Sequence, residues 1–145
     1  MANAQQEQIQ RVTTLYNEAA HKLDYFILGA TLAICAYLAQ TNPYGQIGIN
    51  KETFLLASLL LFAVSAAYGL RRIESAISLI RINVFILNQT DAAKLEKLGT
   101  KFLTEADKGL LHGRLRNYLL AAGLLCYVTT KVWASYQNTG WILIH

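Results

Sequence analysis

Charge is scarce in this chain: only 15% of its 145 residues are Asp, Glu, Lys or Arg, where a soluble domain carries about a quarter. Proline occurs once, at Pro43, and no run alternates apolar with polar residues, which argues against sheets and for an all-α protein. Cysteine occurs twice. Cys35 and Cys126 both fall inside apolar stretches, so they read as small buried hydrophobes rather than a disulfide or metal pair. Residues 1–23 are polar, without the apolar core or small-residue cleavage site of a secretory signal, so the first apolar segment is expected to remain in the mature protein. Nucleophile elbow, Walker loop and zinc spacing are missing as well. Neither an enzyme nor a cofactor is expected.

What the chain does have is apolar length. Three segments stand out: residues 25–40 and 54–70, both uncharged, and 118–136, with Lys131 as its one charge. At 1.5 Å per residue they cover roughly 24 to 29 Å, just adequate for a hydrocarbon core of about 30 Å. A soluble three-helix bundle would need a polar face on each helix. Between Phe54 and Leu70 the polar side chains are Ser58, Ser65 and Tyr68, too few to draw one. A helix apolar all round belongs in a large core or in lipid, and a chain this small cannot bury three. The expected fold is therefore all-α with three transmembrane helices, extended by cytoplasmic amphipathic helices as a single membrane domain.

The basic residues give a sidedness. Arg11 and Lys22 precede the first span, and Lys51 alone lies in 41–53. Nine lie in 71–117: Arg71, Arg72, Arg81, Lys94, Lys97, Lys101, Lys108, Arg114 and Arg116. Eleven on one side against one on the other predict a cytoplasmic N-terminus (1–24) and a cytoplasmic connection (71–117), with loop 41–53 and tail 137–145 outside. Aromatic residues agree: Tyr25, Tyr68 and Tyr118 mark the inner ends, and Tyr44, Phe54, Trp133, Tyr136 and Trp141 the outer side.

The cytoplasmic parts are patterned too. Ile9, Val12, Tyr16, Ala19 and Leu23 recur at spacings of three and four, an amphipathic helix running into the first span. Ile73, Ile77, Ile80, Val84 and Leu87 form a coiled-coil-like seam on an unbroken stretch from Phe54 that predicts one helix of about 50 Å. Leu79, Ile82 and Ile86 make a second strip, so this stalk must touch two partners. Thr90 is expected to cap a short helix over 91–98 ended by Gly99, and Thr100 to cap the next. Within the spans Gly29 and Ala33, Ala63 and Ala67, and Ser65 and Gly69 sit four apart. That spacing allows close packing, either within one chain or between copies.

Few residues suggest chemistry. Glu18 and His21 fit a Glu-x-x-His half-motif, but with no second copy in the chain they predict no metal site. His112 and His145 lack ligand partners. Lys131 is the ionisable residue at membrane depth; it lies close enough to the outer end to snorkel, the alternative being an ion path. Arg71 and Arg72 stop the second span, and Arg81 interrupts an apolar helix about 15 Å below it, where a charge wants a partner. Around an axis of several copies these arginines would form a cationic vestibule for anions or nucleotides.

With its amphipathic segment before Tyr25, tight outer loop from Thr41 to Thr53, and second span continuing as a stalk with Arg71, Arg72 and Arg81, the layout resembles small bacterial anti-phage membrane effectors of the SLATT and Hailong (HalA-type) kinds. That resemblance implies a homo-oligomeric channel in the bacterial inner membrane, gated by a nucleotide or oligonucleotide made by a partner enzyme. The expected function is such a pore, with lipids and further copies of itself as partners. The alternatives are a non-conducting scaffold or accessory subunit and a holin-like lysis protein.

Overall fold

The computed structural model describes residues 2–45 and 47–138, with the side chains of 2–6, 8, 9, 137 and 138 left aside, and all its regular structure is helical. Three elements follow one another: α1 (Ala2–Thr41), α2 (Lys51–Leu87) and α3 (Ala92–Asn138). The expectations placed on Trp141, His145 and the end of the outer tail lie outside the described residues.

α1 is one unbroken helix of 40 residues, so its polar N-terminal half continues directly into the apolar segment. Asn42 closes it, its N–H donating to the Leu38 carbonyl at 2.9 Å, and Tyr44 returns its hydroxyl to the Ala39 carbonyl at 2.9 Å. α2 begins where Asn50 accepts from the Thr53 N–H through its side chain at 2.8 Å, a direct N-cap, and runs for 37 residues. Two segments, Gln10–Thr41 and Lys51–Leu87, are long and apolar enough to cross a membrane, with mean hydropathy 1.4 and 2.0. α3 does not reach that level among the described residues.

α3 corrects the expected break. It is continuous for 47 residues, about 70 Å by helical rise. Asp91, not Thr90, caps it, accepting from the Ala93 N–H at 3.1 Å. Gly99 does not end a helix, and Thr100 turns its hydroxyl back onto the Glu96 carbonyl at 2.8 Å instead of capping. One glycine costs about 1 kcal/mol in a helix interior, too little to break one held by packing. The later glycines are approach points. A Cβ added to Gly109 would meet Ser75, one on Gly113 would run into the Arg72 guanidinium, and one on Gly123 would come to 3.3 Å from Phe62.

α2 and α3 form a long antiparallel hairpin, and α1 packs more sparsely on α2. What they enclose is unusual. The buried apolar side chains are Leu28, Leu38, Leu55, Phe62 and Ala66, while the buried polar ones include Thr31, Ser58, Ser65, Ser75 and Thr130. Outside, Phe26 is 72% exposed, Leu125 68% and Leu60 58%. Small hydroxyl residues inside and large apolar ones outside reverse the arrangement of a soluble bundle. The hydroxyls are satisfied locally: Thr31 donates to the Ile27 carbonyl, Ser58 to Phe54 and Thr130 to Cys126. Cys35 and Cys126 are both free and half-buried.

Candidate functional site

Two arginines and one aspartate meet where the apolar segments end. Asp24 stands one residue before the first, Arg72 two after the second, and Arg116 two before the third. The hairpin is antiparallel and α1 lies beside α2, so those ends fall at one level. There Asp24 Oδ2 accepts from Arg72 Nε at 2.8 Å and Oδ1 accepts from Arg116 Nη1 at 2.8 Å. The carboxylate thus bridges all three helices through one side chain. Arg116 is 3% exposed and Asp24 8%. A charge so buried persists only when paired and hydrogen-bonded. Arg116 is further held by Nε to Asn117 Oδ1 at 3.1 Å, and its own carbonyl accepts from the Ser65 hydroxyl at 2.8 Å.

The local sequence explains the fit. Gly69 and Gly113 are both buried, and neither has room for a side chain. A Cβ on Gly69 would come to 3.3 Å from Leu28 and 3.4 Å from Arg116, and one on Gly113 would run into the Arg72 guanidinium. Two glycines let two arginines lie flat between helices.

Of the residues singled out from sequence, Arg72 belongs to this cluster. Arg71, its neighbour, points the other way: it is exposed and, among the described residues, engages in no ion pair. It lines a groove of about 200 Å³ with Val64, Ala67 and Tyr68. Tyr68 is half-buried against His112 of α3, their ring centroids 5.8 Å apart, and His112 Nδ1 is buried without a hydrogen-bond partner. Arg81 lies exposed on the stalk, where water replaces the partner that an enclosed charge would need. Arg71, Arg72 and Arg81 are therefore not gathered into one site within the chain.

Lys131 places its ammonium 5.7 Å from the Tyr127 ring centroid, one turn toward the middle of the apolar segment. Glu18 faces Lys22 at 3.8 Å on the exposed side of α1.

Along the stalk, Ser75, Leu79, Ile82 and Ile86 share one helical face. Ser75 meets Gly109, so this is the face that α3 covers, and its residues are buried or half-buried. The other face is bare. Ile77, Ile80, Val84 and Leu87 are 50%, 59%, 52% and 78% exposed.

Sequence reasoning passed over Asp24 and treated Arg116 only as a topology marker. The signal was there: a single acidic residue at the same end of the apolar segments as three arginines, next to the tyrosine that begins the first. In comparisons with known proteins, the chain matches no family model, no curated protein and no solved structure.

Proposed function

We propose that the chain is a three-span protein of the bacterial inner membrane that assembles with copies of itself, through its cytoplasmic stalk, into a pore or ion channel. One observation carries this: the Ile77, Ile80, Val84 and Leu87 seam stays bare after the chain has folded, on the continuation of its most apolar helix. Spacings of three, four and three are those of a helix that pairs with another helix. A bilayer holds every copy at the same tilt and depth, so identical seams meet parallel and in register without further specification.

Packing supports reading the apolar part of α3 as a third span. Ser65 bonds the Arg116 carbonyl, Phe62 abuts Gly123, Cys126 reaches the Phe54 carbonyl at 3.6 Å, and Phe54 meets Trp133 edge to face at 5.8 Å. A segment laid against a membrane helix at every level shares its depth. The eleven-to-one division of basic residues then puts the N-terminus and the hairpin tip in the cytoplasm and the C-terminus outside. The exposed Val12, Tyr16 and Leu23 make the first half of α1 a second docking face.

With Arg72 engaged by Asp24, the cation left to line a shared vestibule is Arg81 on the stalk. Repeated around an axis, Arg81 would present guanidiniums to a nucleotide or oligonucleotide phosphate. No catalytic step belongs to this reading. The second reading is a scaffold, whose stalk would dock a different protein on the same seam.

Native mass determination and flux from dye-loaded liposomes test it. Rings of identical subunits that pass ions are expected. Monomers, or complexes with an unlike partner and no flux, would support the scaffold.

A further inference from the structure

We infer that the groove formed by Val64, Ala67, Tyr68 and Arg71 is a binding site for one anionic phospholipid of the cytoplasmic leaflet. The proposal rests on the membrane reading above but not on assembly or conduction.

The charge balance comes first. Arg71, Arg72 and Arg116 stand at one level with one carboxylate, Asp24, which is occupied on both oxygens by Arg72 and Arg116. Among these four groups the positive charges outnumber the negative by two, and Glu74, one turn below Arg71, is exposed to water on the side away from the apolar segment. Arg72 and Arg116 are locked into the protein. Arg71 is the member of the set whose guanidinium is exposed and free to meet an anion.

The shape of the groove decides which anion. Val64, Ala67, Tyr68 and Arg71 are spaced three, one and three along α2, so they lie on one face, one above another. Val64 and Arg71 are seven residues apart, about 10 Å by helical rise. The cation is therefore at the foot of the groove, and its upper wall is apolar and lies at hydrocarbon depth. Ala67 supplies the hollow beside Val64, and Tyr68 occupies the level between, where an amphipathic ring suits the headgroup boundary. The groove is open and about 200 Å³ in volume, so it holds the phosphate and its nearest atoms and leaves the chains in the bilayer. A soluble phosphate or nucleotide would use Arg71 but leave the apolar wall to solvent or other lipid. A phospholipid uses both. Guanidinium pairs with phosphate through parallel hydrogen bonds, and basic recesses beside cytoplasmic helix ends commonly select anionic headgroups.

The full-length chain, reconstituted in phosphatidylcholine nanodiscs carrying a minor share of phosphatidylglycerol, provides the test. The lipid retained on the protein after detergent exchange would be weighed by native mass spectrometry. Phosphatidylglycerol should be enriched over its bulk share. Arg71→Gln should lower that enrichment about fivefold, the effect of one interfacial arginine. Ala67→Leu, which fills the hollow on an exposed face, should lower it similarly. Arg81→Gln, on the same helix but below the membrane, should leave it unchanged. Equal losses from Arg71→Gln and Arg81→Gln would reduce the effect to overall charge and overturn the site. So would absence of enrichment in the parent chain, or its erasure by excess inorganic phosphate, which would assign Arg71 to a soluble anion. Failure of the chain to enter nanodiscs would instead refute the membrane reading.

Discussion

Arg116 reaches across 92 residues of sequence to donate to Asp24, Nη1 to Oδ1 at 2.8 Å. Because Arg72 takes the other oxygen of the same carboxylate, a single aspartate fixes the angle at which α1 joins the hairpin of α2 and α3. It also turns what would be two unpaired cations beside an apolar interior into a neutralised pair with one charge left over.

Asp24→Asn should therefore be costly. The amide keeps the shape but leaves Arg116 buried without its counter-charge, and removing one partner of a buried pair costs about 3–5 kcal/mol. A large fall in the thermal midpoint of the detergent-solubilised protein is expected, followed by loss of α1 protection from limited proteolysis. An unchanged midpoint would show that the cluster is not structural.

Two glycines in α3 should respond with opposite sign. A Cβ on Gly99 meets nothing within 4 Å, so Gly99→Ala should add about 1 kcal/mol by helix propensity alone. Gly113→Ala gains the same propensity, but its Cβ falls on the Arg72 guanidinium and pushes it off Asp24. Its midpoint should drop below that of the parent chain. Melting the two variants side by side checks the sign.

Ile80→Glu and Val84→Glu alter only the bare seam. Surface changes of this kind shift stability by about 0.5 kcal/mol or less, so the monomer should melt as before. Assembly should fail, seen as a collapse of the oligomer peak in native mass spectra. Oligomers that persist in both variants would move the interface elsewhere.

Sidedness has its own check. In a background with both native cysteines replaced, Gly48→Cys lies in the short loop and Lys97→Cys in the hairpin arm. A membrane-impermeant maleimide added to intact cells should label the first and spare the second. The reverse pattern would invert the topology.

Much of the fold was legible because long apolar runs with few breakers report directly on long helices. The helices around residues 25–40 and 54–70, the turn after Leu87 and the continuation of α2 past Arg72 all follow from periodicity and the shortage of breakers. Gly99 misled, since a glycine after a short polar helix looks the same whether the helix ends or is held straight by a neighbour. The Asp24 cluster was harder to see. Its members are far apart in sequence, and each has an adequate local explanation as a flanking charge. Only the antiparallel return of α3 puts Arg116 beside Arg72. Arg81 erred in the other direction: an arginine among isoleucines suggests an enclosed charge, yet it falls on the bare side of the stalk, beside the exposed Ile77 and Ile80.

The hydroxyls of Thr31, Ser58, Ser65 and Thr130 are all spent on backbone carbonyls, and Phe62 is fully buried. Among the described residues, the inward surfaces of one chain thus form a wall of apolar groups and spent hydroxyls. If ions cross, they travel along a seam bounded by several such walls, each chain serving as a stave, so the width of the passage is set by how many staves close the ring.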